Sequence, residues 1–182
     1  MPSEKKKSCV LILHNIRSAH NVGALFRTAD GAGLARHVSQ SDAGGGVSIY
    51  LSGYTACPPK KGALYLTDAD KALQKTALGA EGFVSWKKVA SLTPLLGNLK
   101  RAGYQLVALE QAPGSRDYRS YHPLKKVALI VGNEVRGVDS RVLKQCDAIV
   151  EIPMRGQKNS LNVSVATGIA LYQIIGTMEE NS

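Results

Sequence analysis

Short apolar runs recur along the chain, spaced widely enough to leave a helix between them. Cys9–Leu13 (CVLIL), Val47–Leu51, Tyr104–Leu109, Val127–Val131 and Ala148–Ile152 each read as a strand, with a further extended piece near Phe83–Trp86. Runs without a polar alternation are buried on both faces, as parallel strands are. Helical spacing fills the gaps. Val22, Leu25, Phe26 and Ala29 form a stripe at i, i+3, i+4, i+7, predicting a helix over 22–32 with Asn21 as cap and Gly33 as stop. Residues 68–77 follow Asp68 as cap. Thr93-Pro94 opens a helix over 94–102 that closes at Gly103. Asp139 caps a short helix to Gln145, and a last helix runs from Leu161 or Asn162 towards Met178. Strand and helix alternate throughout, which predicts an α/β fold: a mostly parallel sheet with helices on both faces. No repeat or linker interrupts the pattern, so residues 1–182 are expected to form one domain, with a basic tail over 1–8 and a flexible glycine-rich loop over 39–46.

The last helix is apolar nearly all round. Val163, Ala166, Ala170 and Ile174 lie along one line, and Val165, Ile169, Tyr172 and Ile175 on other sides. A helix with one wet face does not look like this. One face is expected on the sheet and another on a second subunit, with Val163- and Ile169-type positions in the contact.

Polar loops carrying glycine or proline follow three strands, at Glu110–Ser115, Gly132–Gly137 and Pro153–Ser160. Open α/β sheets bind ligands outside such strand ends. There is no GxxxxGK[ST] and no GxGxxG after the first strand, so the known phosphate cradles do not apply. Ser160, Asn162 and Ser164, at the start of the last helix, suit either capping or a ligand at the helix N-terminus. Arg27 lies off its helix's apolar stripe, between Gly23 and Gly31 along the helix row. It reads either as a solvated arginine or as one left open to a ligand.

Charge narrows the partner. The formal net charge is +9, and basic residues cluster in loops: Lys60-Lys61, Arg116 with Arg119, Lys125-Lys126, Arg136 with Arg141, and Arg155 with Lys158. That balance favours a polyanion, nucleic acid before membrane. Aromatic content is 5%, so backbone and shape recognition are expected to outweigh base stacking. Cys9, Cys57 and Cys146 are scattered without a CxxC pair, and the four histidines show no ligand spacing, so neither a disulfide framework nor a metal site is expected. No apolar run approaches the ~20 residues that cross a bilayer, and the charged N-terminus does not resemble a signal peptide. A cytoplasmic protein is expected.

Three stretches carry a resemblance. His14–Gly33 (HNIRSAHNVGALFRTADGAG), Val131–Val138 (VGNEVRGV) and Ile152–Ala166 (IPMRGQKNSLNVSVA) resemble, in order and spacing, the three motifs of the SpoU (TrmH-like) family of RNA 2′-O-ribose methyltransferases, within the SPOUT superfamily. The resemblance implies an α/β knot, a parallel sheet whose C-terminal segment is threaded as a trefoil. It also implies S-adenosylmethionine as cofactor, RNA (tRNA or rRNA) as substrate, and a homodimer with a shared active site.

Residue by residue, Asn21 and Arg27 match the first motif's asparagine and arginine. That arginine is proposed to act on the ribose hydroxyl, helped by the substrate phosphate, or more mildly to orient the phosphate and steady the oxyanion. Glu134 matches the second motif's acid, and Ser160 and Asn162 the third motif's polar pair. Gly132, Ile152 and Leu161 match positions whose backbone holds the cofactor, and Leu109 and Glu110 begin the preceding cofactor loop. Arg116, Arg119, Arg136, Arg155 and Lys158 are the expected RNA contacts. The first motif starts at once and the chain stops after the last helix, so recognition is expected from the catalytic domain's own basic loops. Two other readings are a non-catalytic RNA-binding or ribosome-assembly module on the same fold, and an RNA base methyltransferase. The complete set Asn21, Arg27, Glu134, Ser160 and Asn162 favours the ribose enzyme.

Overall fold

The computed structural model describes residues 7–37 and 46–180. Most of the expected N-terminal tail and of the 39–46 loop lies outside the described residues. Seven strands form a single sheet: β1 (Ser8–His14), β2 (Ile49–Ser52), β3 (Trp86–Val89), β4 (Gln105–Leu109), β5 (Arg116–Asp117), β6 (Lys126–Val131) and β7 (Ala148–Glu151). The order is β3-β2-β1-β6-β4-β7-β5, and every pairing is parallel. Among the described residues, four helices connect them, α1 (Ala19–Gly31), α2 (Asp68–Ala77), α3 (Leu92–Arg101) and α4 (Ser140–Leu143), and α5 (Val163–Glu180) follows β7.

The run CVLIL splits by the two-residue period of a strand. Cys9, Leu11 and Leu13 pack with Leu25 and Phe26 of α1, Leu73 of α2 and Leu171 and Ile174 of α5. Val10 and Ile12 pack on the other face with Leu92, Leu96 and Leu99 of α3 and Val142 of α4. Both faces are covered, as the unbroken apolar composition required.

Boundaries differ from the sequence reading where capping chemistry had neighbouring candidates. α1 begins at Ala19, because Ser18 rather than Asn21 is its cap; the Ser18 hydroxyl accepts from the Asn21 amide at 3.3 Å. α2 has the expected span, but Thr67 caps it, in a reciprocal box with Asp70. α3 starts at Leu92 behind Ser91, and Pro94 falls in its first turn, where a missing N–H leaves no bond unmade. The strand expected near Phe83–Trp86 begins at Trp86; a 3₁₀ turn over Ala80–Gly82 precedes it and Phe83 points to solvent. β5 was not foreseen: two polar residues held only by β7 carry no hydrophobic signal.

The glycines beside Arg27 are not open space. A Cβ on Gly23 would strike the Leu73 carbonyl and the Thr76 hydroxyl of α2, and one on Gly31 would press on the Tyr172 hydroxyl. They are small so that α1 can approach α2 and α5 closely.

Candidate active site

All parallel strands end on one edge, and the loops after β1, β4, β6 and β7 meet there. A cavity of about 260 Å³ opens between them. Leu109 and Glu110 line it after β4, Gly132, Asn133 and Glu134 after β6, and Ile152, Ser160, Leu161 and Asn162 after β7.

The β6 loop is a closed turn. The amides of Asn133 and Gly137 donate to each other's carbonyls at 3.0 and 2.8 Å. The Asn133 carboxamide oxygen accepts from the amides of Val135 (2.9 Å) and Arg136 (2.8 Å). Gly132 has to be glycine, because a Cβ there would run into the Gly137 carbonyl carbon and the Val138 amide. Glu110 reaches the same turn and accepts from the Val138 amide at 2.7 Å. The β4 and β6 loops are thus fastened together at the cavity wall.

Glu134 ties in the β1 loop. Its carboxylate accepts from the Arg17 amide (2.8 Å), the Ser18 amide (3.0 Å) and the Asn21 side chain (2.9 Å). Burial pushes its pKa up, but these donors and its own amide outweigh burial, and the group lies below its ordinary value. Asn21 spends its other side-chain atom on Asn162, whose Nδ2 donates to Asn21 Oδ1 at 3.1 Å. Asn162 caps α5: its carboxamide oxygen accepts from the Ser164 amide at 2.9 Å and hydroxyl at 2.6 Å. Asn21 is therefore a bridge between two motifs rather than a cap, and Asn162 caps α5 while lining the cavity.

Of the expected site residues, Leu109, Glu110, Gly132, Glu134, Ile152, Ser160, Leu161 and Asn162 line the cavity together. Asn21 joins through hydrogen bonds. Arg27 does not line it. It faces a separate, wide concavity on the outer side of α1 and α5, with Lys75, Ser164, Val165, Gly168 and Tyr172.

Arg116, Arg119, Arg136, Arg155 and Lys158 are exposed and none lines the cavity. Arg119 is not a free cation: its Nε donates to Asp117 at 3.0 Å, and these bonds hold Asp117 at about 2. Sequence reasoning missed Asn133, Glu151 and Met154 in the cavity wall. For Asn133 a signal existed, since an asparagine four residues before a glycine directly after a strand suits a side-chain-locked turn.

The wall also has a sign. Glu110, Glu134 and Glu151 line the cavity and no lysine or arginine does, in a protein of net charge +9. With Val131, Val163 and Ala166 beside them, the cavity suits a ligand with an apolar part and a positive charge.

Residues 62–172 match the model of the SpoU rRNA Methylase family. A protein of Aquifex aeolicus, tRNA (guanosine(18)-2′-O)-methyltransferase, is 30% identical over 177 residues, covering 97% of this chain and 73% of the relative. The chain belongs to the SpoU rRNA methylase family. A Staphylococcus saprophyticus protein bearing a TrmH-family tRNA/rRNA methyltransferase name is 32% identical over 172 residues, covering 94% of this chain and 60% of that protein. The AdoMet-bound rRNA methyltransferase of Sinorhizobium meliloti has the same fold, with a TM-score of 0.73 and 28% identity over 91% of this chain and 55% of that one. The chain thus spans little more than half the length of several relatives. The cavity, the Glu134–Asn21–Asn162 bridge and the glycine-locked β6 turn are where the three stretches that carry the resemblance meet. No helix among the described residues is long and apolar enough to cross a membrane.

Proposed function

We propose that the chain is an S-adenosylmethionine-dependent methyltransferase acting on a ribose 2′-hydroxyl of structured RNA, tRNA or rRNA. The observation that carries this reading is the bridge from Glu134 through Asn21 to Asn162, which sets a row of polar groups at the mouth of an acidic, partly apolar cavity. The cavity fits the cofactor by charge: a sulfonium and an ammonium suit walls with three glutamates and no basic residue. Leu109, Glu110, Gly132, Ile152 and Leu161 would hold it, Glu110 through the locked turn it supports. When bound, the cofactor would supply an electrophilic methyl group to the ribose oxygen, leaving its sulfur as a neutral thioether.

The chain's own residues then serve the acceptor. Ser160 and Asn162 orient the ribose at the mouth. Glu134 is a positioning residue that fixes Asn21 and the entry to α1. Arg27 holds the phosphate beside the reacting ribose and steadies the oxygen, whose proton passes to solvent water as the methyl group is transferred. Arg116, Arg136, Arg155 and Lys158 carry the RNA backbone outside the cavity, with Arg119 contributing less because Asp117 neutralises it.

Three further elements belong to this reading. First, the C-terminal segment is threaded as a trefoil knot. In support, β7 lies between β4 and β5, so the 110–115 connection crosses the carboxyl end of β7, where the segment leading to α5 would thread. Second, the protein is a homodimer through α1 and α5. Val163 is turned to the core and cavity, so of the expected positions half-buried Ile169 remains, joined by Val165 and Tyr172, 52% and 56% exposed around Gly168. Third, residues 1–182 act as one cytoplasmic domain without a metal.

The test is nucleoside mass spectrometry of RNA incubated with the protein and the cofactor. A 2′-O-methylated nucleoside is expected. A base-methylated nucleoside, or RNA left unmodified, overturns the reading.

A further inference from the structure

An aromatic side chain stands exposed beside this site, and the surrounding loops hold it still. Tyr54 follows β2 and is 60% exposed. Its hydroxyl accepts a hydrogen bond from Asn133 Nδ2 at 2.8 Å, and Asn133 is part of the cavity wall. β2 and β6 are separated by β1, so Tyr54 and Asn133 together bridge about two strand spacings, roughly 10 Å, across the carboxyl edge of the sheet.

The backbone below it is pinned as well. The Tyr54 amide donates to Asn15 Oδ1 at 3.3 Å. Lys88 Nζ donates to the carbonyls of Gly53 and Thr55, one on each side, at 2.7 Å each. Gly53 has φ +61°, and a Cβ there would strike the Asn15 side chain. Asn15 itself is held at φ +58°, and its carbonyl accepts from the same Asn133 Nδ2 at 3.1 Å.

An exposed tyrosine ordinarily samples several rotamers, and ordering it costs entropy. Here one hydrogen bond holds the ring's hydroxyl and four more hold the backbone and loop beneath it, while the residue stays 60% exposed. The network does not cover the ring. Asn133, which holds the tyrosine hydroxyl, also accepts from the amide of Val135, a 74% exposed apolar residue of the cavity wall. A flat apolar surface, pre-ordered at the rim of a cavity where a ribose is to be held, fits the base attached to that ribose.

We propose that Tyr54, with Val135, is a stacking platform for the nucleobase of the nucleotide being methylated. The inference rests on the ribose reading above and adds a substrate subsite to it. Tyr54 touches substrate without touching the reacting atoms, so it acts on RNA affinity and on positioning. The network gives it a second property. Asn133 locks the β6 turn through its carboxamide oxygen and the tyrosine through its nitrogen, so base stacking and the cavity wall share one residue.

The experiment uses the full chain, S-adenosylmethionine and the RNA whose modified nucleotide has been mapped, made once intact and once abasic at that nucleotide. Wild-type protein is expected to show a KM about 10-fold lower for the intact RNA, the scale of one base–aromatic stack. Tyr54→Ala is expected to lose that preference and treat both RNAs alike, with cofactor affinity unchanged and kcat within about 2-fold. Tyr54→Phe keeps the ring but loses the Asn133 bond, and is expected to fall between them. Wild-type KM in Tyr54→Ala overturns the platform. So does an equal rise on intact and abasic RNA, which marks a merely structural effect. If wild-type protein methylates a base or nothing, the ribose reading fails instead. The platform is then judged by photo-cross-linking to RNA carrying 5-iodouridine. Attachment at Tyr54 upholds it, and attachment only elsewhere overturns it.

Discussion

Glu134→Ala tests whether the site's acid is a structural clasp as well as a motif residue. The carboxylate accepts three hydrogen bonds, from Arg17, Ser18 and Asn21, at 2.8–3.0 Å. A bond to a charged acceptor contributes about 1.5–3 kcal/mol where water is excluded. Glu134 is only half-buried, so water replaces part of what alanine removes, and the three together come to about 2–3 kcal/mol. For a chain of this length Tm falls by about 2–4 °C per kcal/mol, giving about 4–12 °C. Glu134→Gln keeps one acceptor but turns an NH₂ towards an amide, so about half that loss is expected.

The acid limb supplies an independent check. The folded-state pKa of Glu134 is lowered from its ordinary 4.5. Its contribution is therefore complete above the ordinary value and is lost as pH falls through the folded one. Urea melts across pH should show a constant gap between wild type and Glu134→Ala above about pH 5, closing below the ordinary carboxylate range. A variant as stable as wild type, or a gap that persists at the acid end, refutes the clasp.

Three shorter predictions follow. Arg27→Ala should keep fold and cofactor affinity, because Arg27 lies outside the cavity, while turnover falls about 10²-fold or more; Arg27→Lys should not restore it, lacking the planar fork. Gly132→Ala should abolish cofactor binding by calorimetry and destabilise by about 1–3 kcal/mol, since its Cβ has no room against Gly137. Arg116→Ala should lower the log–log salt slope of RNA affinity by about 0.7, whereas Arg119→Ala should change it little, its charge being spent on Asp117; equal effects would reject that distinction.

The sheet was legible because its strands are buried on both faces, and a continuous run such as VALIV at 127–131 has no other stable home. The period of two says which residues of such a run share a face, but not which helix covers each face. Caps were less legible: Ser18 and Asn21 are both good caps, and only the partner of Asn21, 113 residues away at Glu134, decides which one is free. The cavity residues were legible through the family resemblance, since nothing local marks Leu109 or Ile152. The Asn15–Tyr54–Asn133 network was not, because its members come from three strand ends and the chain gives no periodic trace of contacts across a sheet edge. Arg27 is open, as expected, but not because of its glycine neighbours: a missing side chain signals close packing as readily as empty space.

Arg27's position has a consequence for how one site is assembled. Asn21 and Arg27 lie on one helix, six residues apart, which puts them about 9 Å apart along its axis and on different sides of it. Asn21 faces Glu134 and Asn162 at the cavity, while Arg27 faces Val165, Gly168 and Tyr172 on the outer side of α5. One arginine cannot line both spaces in one chain. A two-fold axis beside the exposed Val165–Tyr172 face would carry a second copy's Arg27 towards the first copy's cavity. Mixed dimers decide the matter. One subunit carries Arg27→Ala with its cavity intact; the other carries Leu161→Arg, which fills the cavity but leaves Arg27. With sharing, each mixed dimer keeps one complete site, so an equal mixture recovers about a quarter of the wild-type sites, although either variant alone has none. If each chain works by itself, no complete site exists in any dimer and the mixture stays inactive. That result would require the RNA itself to span α1, from ribose in the cavity to phosphate at Arg27.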